Sequence, residues 1–370
     1  MRRLVALDLA GGDLFVEWLQ RVWDRGDAVL PLDQRLPVDR RHDLAGRLGA
    51  STVVDSTGET PLDDGSPVED GDALVVVTSG TSGSPKGVVL GREAVEASAE
   101  RTAEAIGQLE TDHWLACLPL SHIGGLSVVT RSLITGVPVT VQPGFDAAEV
   151  RRAAEHCTLV SLVPTALRRI DPGAFRRILL GGGRPPADRP TNSIATYGMT
   201  ETGSGVVYDG LALRDVELRI GSGEEILVRS PTNMRAYRDG TTSIDHDGWL
   251  HTDDVGSLDA DGRLSVRGRR GDVINSGGEK VWPDSVEAVV SDLDPGSEHV
   301  VVGLDDEEWG QIVVLVTTSN DLELDAVRAL VRERVAPYAS PRRLIRVGSI
   351  PRNTNGKVVR RSVATMVGNP

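Results

Sequence analysis

Short apolar runs alternate with amphipathic segments through most of the first 270 positions of this 370-residue chain. Leu74–Thr78 is apolar and rich in β-branched residues, the pattern of a buried strand. Glu93–Gly107 reads as a helix, Trp114–Leu118 as a strand, and the residues after Gly124 as a helix. Val137–Val141 reads as a strand, Ala147–Glu155 as a helix, and Leu159–Val163 and Ile178–Leu180 as strands. This βαβα order predicts an α/β domain with a largely parallel sheet, whose ligand loops lie at the carboxyl ends of the strands.

From about Glu217 the texture changes to short strands separated by Gly/Asp turns, including Glu224–Val228 and the D-A-D-G-R turn at Asp259–Arg263, which suits β-hairpins. After Arg269 a glycine-rich crossing leads to a helix at Pro283–Leu293, with proline in its first turn. Strands at His299–Leu304 and Ile312–Thr317 and a helix at Leu324–Val335 complete a small α+β unit. The expected division lies near Arg270–Asp272, giving domains of 1–270 and 271–370.

Composition narrows the function classes. A net charge of −14 argues against binding nucleic acid or anionic membranes through a general positive field, so an anionic ligand needs a locally basic pocket. Cys117 and Cys157 are the only cysteines, too few for a disulfide framework or a thiolate metal site, and they read as small buried hydrophobes. The apolar run at the N-terminus is broken by Asp8, unlike a signal peptide, and no stretch approaches the ~20 apolar residues of a membrane span. A cytoplasmic location is expected.

Five segments carry candidate chemistry. Ser79–Gly87, S-G-T-S-G-S-P-K-G, follows the Leu74–Thr78 strand and has the outline of a phosphate cradle: glycines admit backbone N–H groups to an anion, hydroxyls add donors, and Lys86 adds a charge. It is not a Walker loop, because Pro85 stands where that motif requires glycine. Ala195–Gly203, A-T-Y-G-M-T-E-T-G, offers an aromatic ring, hydroxyls and the carboxylate of Glu201, a ligand type suited to a hard cation. Gly248–Gly256 brings Asp253 and Asp254, either of which could accept ribose hydroxyls, or simply form a solvated acidic turn. In Gly268–Val281, Arg269 could donate to sugar or phosphate oxygens, while the glycines permit close approach or a hinge. In Pro351–Arg361, the Asn355–Gly356 turn would present Lys357 at a loop tip.

In this order the five segments resemble the acyl-adenylate-forming (AMP-binding) superfamily of acyl- and aryl-CoA ligases, luciferases and peptide-synthetase adenylation domains. The resemblance runs from about Leu74 to Arg361. It implies a large N-terminal adenylate-forming domain of layered α/β sheets and a small mobile α+β C-terminal domain. It also implies an enzyme that activates a carboxylate with ATP and Mg²⁺, releases pyrophosphate and passes the acyl group from acyl-AMP to a thiol. Residues Thr78, Ser79, Gly80, Thr81, Ser82, Gly83 and Lys86 would then hold the β- and γ-phosphates. Gly181, Gly182 and Gly183 would lie along the adenine, with Tyr197 stacked on it and Gly198 beside it. Thr200 would contact the α-phosphate and Glu201 would hold Mg²⁺. The family's T-G-D appears here as Thr252-Asp253-Asp254, so Asp254 aligns with the ribose-binding aspartate and Asp253 replaces a glycine. Arg269 matches the second ribose contact, and Lys357 matches the lysine bridging carboxylate and α-phosphate. Gly271 stands at the family's hinge, and Ser276, Gly277, Gly278 and Lys280 would line the CoA channel.

Members of the superfamily usually carry many more residues before the phosphate loop than the 73 that precede Leu74, so the outer N-terminal sheets are expected to be abridged. This short form resembles the actinobacterial o-succinylbenzoate–CoA ligases of menaquinone biosynthesis. In Leu118–Leu133, the resemblance makes His122 a contact of the acyl pocket and Arg131 the cation for the succinyl carboxylate, where a guanidinium can pair bidentately. The alternative for Arg131 is a structural salt bridge on an exposed helix face. The implied partners are an aromatic carboxylate, ATP and CoA, without nucleic acid or membrane insertion, and the resemblance admits a homodimer. Other readings stay open: a different aryl- or fatty-acyl-CoA ligase, a stand-alone carrier-loading enzyme, or a non-catalytic nucleotide-binding protein.

Overall fold

The computed structural model describes residues 1–79, 85–186, 188–352 and 358–368. The chain divides into two compact units. The first comprises Met1–Arg219, Leu227–His251 and Ala260–Leu264; the second comprises Ile220–Ile226, Thr252–Asp259 and Ser265–Pro370. The change between units falls inside the short-strand region beginning at Glu217, within strands such as Glu225–Arg229 and Leu250–Leu258.

Two seven-stranded sheets organise the first unit. The first contains β1 (Leu4–Leu7), β2 (Ala28–Pro31), β3 (Thr52–Asp55), β4 (Gly58–Pro61), β5 (Asp72–Ser79) and β6 (Pro85–Gly91). Edge strand Ala236–Tyr237 completes it, in the order Ala236–Tyr237, β6, β5, β2, β1, β3, β4. The second sheet contains β7 (Trp114–Ala116), β8 (Val139–Val141), β9 (Leu159–Leu162), β10 (Arg177–Leu180), β11 (Ser193–Met199), β12 (Ser204–Tyr208) and β13 (Leu211–Ala212). Its order is β13-β12-β11-β10-β9-β7-β8, and its strands from β7 to β11 are parallel.

Helix Arg92–Ile106 packs on helix Ile123–Thr135 between these sheets, touching β5 and β6 on one side and β12 on the other. Leu4, Leu30, Val75 and Val89 share the core of the first sheet, while Leu115, Val160, Ile178 and Leu180 share that of the second. Burial on both faces explains why these strands read as continuous apolar runs rather than as alternating ones.

In the second unit, antiparallel strands His299–Asp306 and Gly310–Thr317 form the central pair, and Arg343–Arg346 runs parallel to the latter. Side chains alternate faces at a period of two. Val301, Val313 and Leu315 join Val286 and Val290 of helix Pro283–Leu293 and Val327 and Val331 of helix Leu324–Arg334. Val300, Val302 and Val314 join Val363 of helix Arg360–Gly368 on the other face. Arg360 anchors that last helix through ion pairs with Asp272, Asp284 and Glu287.

Several elements depart from the sequence expectation. The strand before the phosphate loop is followed directly by antiparallel β6, with Thr78 opposite Lys86, so Lys86 belongs to a strand rather than to the loop. The first sheet is therefore mixed. The glycine-rich crossing is a two-residue hairpin between Ile274–Ser276 and Glu279–Val281, with Gly277 and Gly278 at φ 62° and 87°. Two consecutive left-handed residues are what a type I′ turn demands, and glycine adopts them without side-chain strain.

Candidate functional site

The first constellation forms around the β5–β6 hairpin. Residues Gly80, Thr81, Ser82 and Gly83 lie outside the described residues, as does Lys357. Thr78 is half-buried at the end of β5, and Lys86 is half-buried at the start of β6. Lys86 Nζ stands 4.4 Å from the centre of the Tyr237 ring, a cation–π contact. The Tyr237 hydroxyl in turn donates to Glu201 Oε1 at 3.1 Å. Two side chains 115 positions apart in the sequence, Lys86 and Glu201, thus meet through a tyrosine that sequence reasoning did not single out.

Backbone pairing explains how Tyr237 arrives there. Ala236 and Tyr237 pair with Val89 and Val88 of β6. Met234 N–H donates to the Glu201 carbonyl, Arg235 N–H to that of Val89, and Arg238 N–H to that of Gly87. Arg235 also clamps buried Asp72 through two bonds of 2.9 and 2.8 Å. The segment is a strap laid across the hairpin and the Thr200–Thr202 turn. Its signal in the sequence is only a Met-Arg-Ala-Tyr-Arg run, which has no period. A cavity of about 340 Å³ beside the hairpin is lined by Arg47, Leu48, Pro85, Lys86, Arg238 and Asp239.

Glu201 sits in a single 3₁₀ turn, Thr200–Thr202, closed by the Thr202 hydroxyl, which accepts from Met199 N–H. Gly203 leaves that turn at φ 68°. Tyr197 is half-buried near the end of β11, beside a register shift at Gly198. A Cβ on Gly198 would come within 2.1 Å of the Ser204 carbonyl oxygen, so only glycine permits the close return of β12. Gly181, Gly182 and Gly183 follow the carboxyl end of β10, the strand adjacent to β11. Glycines and aromatic ring therefore emerge from neighbouring carboxyl ends of one parallel sheet, the usual position for ligand loops in such folds. Glu201 makes one side-chain hydrogen bond among the described residues, leaving Oε2 available; a half-buried carboxylate in that state fits a Mg²⁺ ligand.

His122 caps helix Ile123–Thr135, its carbonyl accepting from Gly125 and Leu126 N–H. The helix begins tightly: a Cβ on Gly125 would lie 2.5 Å from the carbonyl oxygens of both Leu118 and Pro119. Arg35 Nη2 approaches His122 Nε2 at 2.6 Å. A guanidinium only donates, so Nε2 is the acceptor in that contact, and the same nitrogen lies 4.0 Å from Asp33 Oδ2. Arg35 itself grips Asp33 through bonds of 2.8 and 2.7 Å. Burial works to raise the Asp33 carboxyl, but the hydrogen bonds and charge of Arg35 prevail and hold it below its ordinary value.

Arg131 lies two turns further along that helix and is 1% exposed. Its guanidinium stacks 4.7 Å from the centre of the Trp114 ring. Among the described residues Nε and Nη1 have no hydrogen-bond partner and no carboxylate pairs with the group, so the sequence alternative of an exposed salt bridge fails. Burial pushes its pKa below the ordinary arginine value, opposed by electrostatic coupling to Tyr208. The Tyr208 phenol, hydrogen-bonded to Thr102 at 3.0 Å, is raised by the same burial. A desolvated cation without a counter-ion is unfavourable unless something else supplies the charge.

Within the second unit, Asp254 is buried and Arg269 Nε lies 3.2 Å from its Oδ1. Asp253 is exposed at φ 58°, so the extra carboxylate points away from that pair while the backbone takes a glycine-like conformation. The Thr252 hydroxyl fixes the turn, donating to the Ile226 carbonyl at 2.7 Å and accepting from Asp254 N–H at 3.1 Å. Ser276 is buried, and Gly277, Gly278 and Lys280 are exposed around the hairpin turn. A Cβ on Gly277 would strike the Trp309 ring at 2.6 Å. Gly271 is exposed, with no atom of the described residues within 4 Å of an added Cβ. No helix among the described residues is long and apolar enough to cross a membrane.

Residues 28–238 match the family model of the AMP-binding enzymes, and residues 285–357 match that of the AMP-binding enzyme C-terminal domain. The 2-succinylbenzoate–CoA ligase of Geobacillus kaustophilus (strain HTA426) is 36% identical over 341 residues, covering 80% of this chain and 69% of the relative. Among solved structures, the o-succinylbenzoate CoA synthetase MenE of Bacillus subtilis with its acyl-adenylate intermediate superposes at a TM-score of 0.85. It shares 28% identity over 98% of this chain and 88% of that one. The same enzyme in complex with ATP and magnesium gives a TM-score of 0.85 at 27% identity, covering 98% and 89%.

Proposed function

Because the chain belongs to the AMP-binding enzyme family, we propose that it is an ATP-dependent acid–thiol ligase that converts o-succinylbenzoate and CoA to o-succinylbenzoyl-CoA. The observation that carries the substrate is Arg131. A buried guanidinium with no counter-ion among the described residues suits a second carboxylate, which a fatty acid or benzoate lacks.

The reaction has two steps. The aromatic carboxylate attacks the α-phosphorus of ATP, forming the acyl-AMP and expelling pyrophosphate; the CoA thiol then attacks the acyl carbon, forming the thioester and releasing AMP. The residues of Ser79–Gly87 cradle the β- and γ-phosphates, with Lys86 as an anchor oriented by the Tyr237 ring. Gly181–Gly183, Tyr197 and Gly198 receive the adenine, and Thr200 the α-phosphate. Glu201 holds Mg²⁺, which when bound neutralises phosphate charge. Asp254 takes the ribose hydroxyls, since it is the buried member of its pair and Arg269 orients it. His122, held by Arg35, lines the acyl pocket.

Lys357 stabilises the charge that develops as the carboxylate attacks the α-phosphate. Residues 271–370 form the mobile domain, turning at Gly271, where glycine takes up backbone change without side-chain cost. Ser276, Gly277, Gly278 and Lys280 then line the path of CoA. The enzyme works in the cytoplasm, where ATP and CoA are supplied and the free thiols of Cys117 and Cys157 stay reduced.

ATP–pyrophosphate exchange across a panel of acids tests the substrate. Exchange supported by o-succinylbenzoate and not by benzoate or fatty acids is expected; equal exchange with benzoate refutes the assignment. Lys357→Ala is expected to abolish exchange while leaving thioester formation from supplied acyl-AMP largely intact. Equal loss of both half-reactions would count against alternation.

A further inference from the structure

The amino ends of β7 and β9 carry a cluster with no part in the chemistry above. His113 immediately precedes β7, and His156 and Cys157 precede β9 by a short turn. Parallel pairing of Trp114 with Leu159 brings the two approaches side by side. One ligand atom from each of the three residues lies within 4.8 Å of the others. The imidazoles meet edge to face, centroids 5.2 Å apart at 75°. Thr140, on edge strand β8, places its hydroxyl between them, 2.9 Å from His113 Nε2 and 3.2 Å from His156 Nε2.

We propose that His113, His156 and Cys157 form a transition-metal site suited to Zn²⁺ at the amino ends of β7 and β9. Two imidazoles and one thiolate are borderline-to-soft donors, which select zinc over the Mg²⁺ that accompanies ATP. Tetrahedral zinc, with Zn–N near 2.0–2.1 Å and Zn–S near 2.3 Å, sets donor atoms about 3.3–3.6 Å apart. The donors would have to close from within 4.8 Å to that separation, and the Thr140 hydroxyl can turn aside about χ1 or remain as a fourth oxygen donor. Exposed His156 provides the entry, while buried Cys157 closes the inner side.

The Cys157 thiol makes a long 3.7 Å contact to the Trp114 carbonyl and also meets the Thr140 hydroxyl. Binding therefore exchanges the thiol proton for the metal, Cys–SH and M²⁺ giving Cys–S–M⁺ and H⁺, and it tightens as pH rises. His122 follows the carboxyl end of β7, Gly181–Gly183 that of β10, and Tyr197 lies near that of β11, so the metal at the amino ends is expected to act on stability.

The test is titration of the full chain with Co²⁺ and Zn²⁺. One equivalent of Co²⁺ should give a thiolate-to-cobalt charge-transfer band that Zn²⁺ abolishes. The band should vanish in Cys157→Ser, persist in Cys117→Ser, and weaken at least tenfold in apparent affinity in His156→Ala, an exposed position whose replacement leaves the fold intact. Zinc should raise the melting temperature of the wild type but not of Cys157→Ser, with ATP–pyrophosphate exchange unchanged in His156→Ala. Absence of the band in the wild type, its survival in Cys157→Ser, or undiminished affinity in His156→Ala overturns the site.

Discussion

Replacing Arg131 by methionine should make the protein more stable and less selective at once. The guanidinium is 1% exposed, with two of its nitrogens unpartnered and no carboxylate paired with it among the described residues. Replacing a buried ionic group by a well-packed apolar one of similar volume is neutral to stabilising by about 1–4 kcal/mol, and here no partner charge is stranded by its removal. Loss of the stacking on Trp114 at 4.7 Å offsets about 1 kcal/mol of this gain. The net, on the order of 0–3 kcal/mol, corresponds to a rise of up to about 10 °C in melting temperature for a unit of this size.

In the complex the sign reverses. Leaving the substrate's second carboxylate buried without its cation costs about 3–5 kcal/mol, a loss of roughly 10²–10⁴-fold in kcat/KM for o-succinylbenzoate. Benzoate, with no second carboxylate, should be affected little. Differential scanning fluorimetry and urea titration of wild type and Arg131→Met, with and without o-succinylbenzoate, read the first effect; exchange kinetics on both acids read the second. A variant less stable than wild type would show that Arg131 is satisfied within the protein and not poised for a ligand. Unchanged discrimination between diacid and monoacid would refute its role in recognition.

Tyr237→Phe keeps the ring beneath Lys86 but removes the 3.1 Å bond to Glu201. A hydrogen bond to a charged group is worth ~1.5–3 kcal/mol, so exchange should fall about 10- to 150-fold and recover in part at high Mg²⁺; an unchanged rate refutes the positioning role. Gly125→Ala places a methyl 2.5 Å from two carbonyl oxygens and should cost about 3 kcal/mol or more, seen as a lower urea midpoint. In NMR titration the His113 ring should take up its proton below the ordinary histidine range, because burial and His156 both oppose its charge. Its folded pKa is depressed, so the folded protein binds fewer protons than the unfolded chain. Stability is then retained above about pH 6.5 and lost as pH falls through the folded value, a dependence that should flatten in His113→Asn.

The primary structure by itself determined the family and the order of its chemical segments. Those segments are loops of glycine, hydroxyl and charge whose local chemistry is legible without a partner, and S-G-T-S-G-S-P-K-G or Y-G-M-T-E-T-G carries its meaning in consecutive positions. Long apolar runs and strong turn signals were equally legible, as helix Pro283–Leu293 shows, since proline and the apolar period act over one or two turns. Tertiary structure alone decided which distant side chains meet. Tyr237 reaches Lys86 and Glu201 because an edge strand pairs with β6, and His113 reaches His156 and Cys157 because β7 pairs with β9. It also decided the state of Arg131, whose sequence context left a salt bridge on an exposed face as the alternative to a ligand contact until packing between sheets removed it from water. Contacts within a segment depend on neighbours in the chain, whereas pairing register and burial depend on the whole fold; charge and protonation in this protein follow the latter.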